Sequence, residues 1–121
     1  MHKYGFYAAY GFLALSGTLH FLIDVLSQFL RGVRAPSRET TLYYGLHASF
    51  ALGQVVLGVL GVWLRRRAPE LLGEPVTIAV SAGSALAWLA IALLFIEYTP
   101  PKINAALFAA LLLAAVLTAK P

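Results

Sequence analysis

Cysteine is absent from the 121 residues. That excludes a disulfide framework, a thiolate metal site, covalently attached c-type haem and a cysteine-ligated iron–sulfur cluster. Charge is also scarce. Asp, Glu, Lys and Arg make up 12% of the chain, against about 25% in an ordinary soluble domain. Nine basic and five acidic side chains are too few to cover a water-soluble core. Strands have no signal either, because the long apolar stretches lack period-two alternation. What is abundant is apolar: 60% of the residues are hydrophobic, which excludes disorder. The chain is short enough to be a single domain, 1–121.

Four apolar runs organise the chain, at about 4–30, 41–64, 75–98 and 103–119. A membrane-crossing helix needs about 20 residues. The first run is long and is expected to tilt or project into the headgroups. His2 and Lys3 give it a basic start, but a signal peptide has an apolar core of only about 7–15 residues. The run is therefore expected to remain as a span. The connections at 31–40, 65–74 and 99–102 are short and carry Pro36, Pro69, Gly73, Pro100 and Pro101. Proline stops one helix and suits the first turn of the next. Short links force sequential helices to run antiparallel. The fold class expected is all-α, an integral membrane up-down-up-down four-helix bundle in one polytopic domain.

The net charge of +4 sits in clusters between the apolar runs. Membrane headgroups, rather than nucleic acid, are its expected partner. Both termini fall on one side of the bundle, here the terminal side. It carries Lys3, Arg65, Arg66, Arg67 and Lys120, against Arg31, Arg34, Arg38 and Lys102 on the distal side. The arginine triplet places the terminal side in the cytoplasm by the positive-inside rule. Trp63 beside Arg65, Arg66 and Arg67 reads as an interfacial anchor, and Tyr43, Tyr44 and Tyr98 fit an aromatic belt at the other surface.

The informative residues are those that lipid should reject. A charge at the centre of a membrane helix costs about 2.5–3.5 kcal/mol on insertion scales, so such residues face inward and find partners. At helical spacing Ser16, His20, Asp24, Ser27, Gln28 and Arg31 share one arc of about 120°. Tyr43, His47, Gln54, Gly58 and Gly61 share an arc of about 60° on the second helix. Glu97 ends the third run, on a face with Ala79, Gly83 and Ala90 that is read as inward. The rival face holds Thr77, Ser81, Ser84 and Trp88. The distal half therefore gathers two imidazoles and two carboxylates.

Those residue types suit a metal or cofactor. His20, Asp24, His47 and Glu97 are the expected ligands for iron, copper or zinc, or His20 and His47 would hold a b-type haem axially. Ser16, Gln28, Tyr43 and Gln54 would support them by hydrogen bonds. A redox or oxygenase-related role follows from that reading, and no catalytic residue is assigned. Two alternatives stand beside it. Asp24 would exchange a proton for a solute in a small proton-coupled transporter. Or the polar network is structural, in an accessory subunit of a larger membrane complex. Small-residue faces also admit a second copy of the chain as partner.

Overall fold

A computed structural model of the protein describes residues 4–119. Four helices follow in order: α1 (Gly5–Leu30), α2 (Arg38–Arg67), α3 (Pro75–Phe95) and α4 (Pro100–Thr118). Each is long and apolar enough to cross a membrane. The protein is all-α, a four-helix arrangement of the kind an integral membrane protein requires.

Local chemistry sets the helix ends. Gly32 follows α1 at φ 61°, a left-handed position that glycine occupies without a Cβ clash. Its N–H donates to Phe29 and that of Val33 to Gln28, closing the helix in a Schellman motif. Ser37 caps α2, its hydroxyl accepting from the Thr40 amide at 3.0 Å. The cap starts the helix at Arg38, ahead of the apolar run, and the arginine triplet carries it on to Arg67. Proline occupies the first turns of α3 and α4. Between α2 and α3 a 3-10 turn, Pro69–Gly73, tucks the buried Leu72 under the core.

Helix α1 lies between α2 and α4, and α3 packs on α4. The α1–α2 contact is the most intimate. A Cβ at Gly58 would meet the Ala14 backbone, and one at Gly61 would overlap the Tyr10 ring. Phe6, Tyr10, Leu13, Leu72, Phe108 and Leu112 fill the terminal half. There Tyr10 and Ser81 share a buried hydrogen bond of 2.6 Å. Phe50, Ala92 and Ile96 form a smaller apolar cluster toward the distal side.

The inward face of α3 is the polar one. Ser81 is buried and Thr77, Ser84 and Trp88 are half-buried, while Ala79, Gly83 and Ala90 face outward. The expectation for α3 is thus reversed. Small side chains alone do not select the inner face; a hydroxyl that needs a partner and an indole with area to bury do.

Candidate functional site

One feature interrupts α1. Over Leu22–Ser27 the helix widens to π geometry, in which backbone bonds run from i to i+5. The site is built at this widening. His20 stands just before it and Asp24 within it. His20 Nδ1 lies 2.9 Å from Asp24 Oδ2, and His20 Nε2 lies 2.9 Å from Nδ1 of His47 on α2. Tyr98, in the link before α4, places its hydroxyl 3.3 Å from the same His47 nitrogen. Asp24 and Tyr43 also lie close to that hydroxyl. Two helices and a link thus meet on one polar chain.

The rings are layered. His20 and His47 stack with centroids 5.0 Å apart, and Tyr98 lies within 15° of parallel to His47. Tyr43 packs against His47 at 4.2 Å. Phe50 leans on His20 at 5.2 Å. Toward the distal surface the Arg34 guanidinium sits 3.5 Å over the Tyr43 ring, a cation–π contact. His20 and His47 are buried, and the Asp24 side chain is 17% exposed. Burial, with the Asp24 carboxylate second, raises the pKa of Tyr98. Its hydroxyl therefore keeps its proton at ordinary pH.

Donor and acceptor counting gives the chain a direction. An ionised carboxylate only accepts, so His20 Nδ1 carries the hydrogen toward Asp24. In a neutral imidazole, Nε2 is then the acceptor. His47 must therefore donate from Nδ1, which leaves the lone pair on His47 Nε2. The order is His47 to His20 to Asp24.

The other expected site residues are placed differently. Glu97 is exposed, because α3 ends at Phe95 and Ile96 is extended, at φ −112° and ψ 121°. The helical face assumed for Glu97 does not reach it, and the residue is removed from the candidate set. Ser16 is buried one turn below His20 and donates to the Leu13 carbonyl. Gln54 is buried against Gly17, deeper along α2. Gln28 keeps its Oε1 buried with no hydrogen-bond partner among the described residues. Tyr43, of these four, packs against an imidazole. Arg31 ends the polar stripe facing outward, bonded back to Ser27. Trp63 faces outward and Arg65 sits 5.1 Å over the Tyr7 ring, while Arg66 and Arg67 are exposed. Tyr98 is the site residue that an aromatic-belt reading of the sequence conceals.

Among the described residues no group of three or more His, Asp or Glu is arranged to hold a metal ion. Two nitrogens sharing a tetrahedral ion at about 2.0–2.1 Å each stand about 3.3 Å apart. The imidazole nitrogens here are at 2.9 Å, a hydrogen-bond distance. Both nitrogens of His20 are already engaged.

A cleft of about 350 Å³ opens beside this chain between α1 and α4, with His20, Asp24, Tyr98 and Asn104 on its wall. No known protein family, curated protein or solved structure matches the sequence or the fold.

Proposed function

We propose that this is a proton-handling membrane protein, a small carrier in which His47, His20 and Asp24 pass a proton toward the cleft between α1 and α4. What supports this reading is the unbroken sequence of two 2.9 Å contacts linking His47, His20 and Asp24. A proton bonds to His47 Nε2. The hydrogen on His47 Nδ1 moves to His20 Nε2, and the hydrogen on His20 Nδ1 moves to Asp24. One proton enters, one arrives at the carboxylate, and the imidazoles remain neutral. Tyr98 and Tyr43 hold His47 in place, and Arg34 on Tyr43 separates the relay from the distal surface. Both termini are proposed to face the cytoplasm, on the weight of Arg65, Arg66 and Arg67.

The test is proton entry into liposomes holding the purified protein and a trapped pH dye. After an external acid pulse, the protein should speed acidification of the lumen. Asp24→Asn and His47→Gln should return the rate to that of empty vesicles. Equal rates in all preparations would remove the proposal. So would iron, copper or zinc at one ion per chain, or a Soret band, in the same preparation. Either would put a cofactor where the relay is drawn.

A further inference from the structure

The cleft has more to offer than an end for the relay. Its rim on α1 is Leu15, Leu19 and Ile23, all facing outward. Pro101 and Asn104 of α4 form the opposite wall. In a membrane this opening meets acyl chains rather than water. At its distal end sits the carboxylate of Asp24, the one acidic side chain on the wall.

Among the described residues Asp24 has no full cation as an ion-pair partner. His20 on its own helix is its ion-pair contact among the described residues. From α2, His47 lies close enough to feel its charge, and Tyr98 of the link shares its wall of the cleft. Arg34 is stacked on Tyr43. On α4, Lys102 points its ammonium toward the Glu97 carbonyl at 3.5 Å. A negative charge flanked by hydrogen-bonding groups, beside an apolar opening, is complementary to a positive head with an apolar tail.

Other occupants fit less well. A hard inorganic cation takes about six or more oxygen ligands, and the side-chain oxygens on these walls are those of Ser16, Asp24, Tyr98 and Asn104, short of that number. A phospholipid brings a phosphate that the carboxylate repels. An alcohol brings no charge to match.

We propose that the cleft binds the head of a long-chain primary amine that enters sideways from the lipid, with its nitrogen on Asp24 and its tail along Leu15 and Leu19. The proposal rests on the proton-handling reading, because the amine arrives as a neutral base. Its lone pair takes the proton that the relay has delivered to Asp24. The carboxylate is restored, and an ammonium ion forms beside it. The overall change is one proton and one amine becoming one ammonium.

The test is calorimetric titration of the whole protein in zwitterionic lipid nanodiscs, with empty nanodiscs as reference. Dodecylamine should bind saturably with one site per chain, and dodecanol should give no saturable signal. Asp24→Asn should weaken the amine by about thirtyfold or more, as expected when one partner of a buried charge pair is removed. Asp24→Glu should retain binding. Dodecanol binding as well as dodecylamine would overturn the proposal on the unaltered protein, whatever the variants do. Amine binding retained in a folded Asp24→Asn protein would overturn it too. Acid-pulse proton entry without any amine binding would overturn the ligand and leave the relay standing. Amine binding lost with Asp24→Asn, in a protein that moves no protons, would keep the binding site and remove the relay.

Discussion

The two halves of the bundle hold together by different means. In the terminal half, α1 and α2 approach until backbone meets side chain at Gly58 and Gly61, and a buried polar pair, Tyr10 with Ser81, is neutral and closed on itself. In the distal half, imidazole, carboxylate and phenol occupy the equivalent space. Packing of this kind is dense and intolerant of added atoms. A chain of hydrogen bonds is worth little per link in a membrane, about 0.6 kcal/mol on average. The terminal half therefore carries stability, which leaves the distal half free for the proton relay proposed above.

Substitutions can break that division. The largest effect should come from Gly61→Leu, whose side chain has to displace the Tyr10 ring. Overpacking of this kind costs about 3 kcal/mol. Thermal unfolding in detergent should show a large loss, and an unchanged transition would mean that the helices do not meet there. Tyr10→Phe should cost about 1 kcal/mol, the usual net value of a hydrogen bond, with proton entry unaffected. A loss of proton entry would mean that the two halves are not separate in function.

Smaller effects sharpen the contrast. A double-mutant cycle with His20→Gln and His47→Gln should give a coupling energy of about 0.6 kcal/mol, while each single change abolishes proton entry. A coupling of several kcal/mol would make the pair a structural staple. Glu97→Gln should shift stability by less than about 0.5 kcal/mol, as surface changes do, and should leave proton entry intact. Loss of entry would return Glu97 to the site.

The fold was legible because its signals are long. Apolar runs of membrane length, ended by proline and glycine, mark four helices without any knowledge of packing. The stripe of Ser16, His20, Asp24, Ser27, Gln28 and Arg31, and that of Tyr43, His47, Gln54, Gly58 and Gly61, were legible as helical spacing, and they meet at His20 and His47. What failed depends on single residues. Glu97 was placed by continuing a helix that stops two residues earlier. Tyr98 looks like any interfacial tyrosine until the link folds it over His47. Ser81 gains its meaning from Tyr10, 71 positions away, and no local pattern carries that.

The π segment at Leu22–Ser27 bears on how the sequence can change in length. A wide turn of this type holds about one residue more than an α turn. Deleting the outward-facing Leu26 would let the backbone close to ordinary α geometry, and the residues beyond it would keep their phase on the helix. Deleting the outward-facing Leu15 has no such slack to draw on. Every residue from Ser16 onward would turn by about 100° relative to those before it, and His20 would leave His47. The first helix is thus built with a slip joint at the polar site and none elsewhere. A length change tolerated at Leu26 and lethal to folding at Leu15 is the expected pattern in a deletion scan.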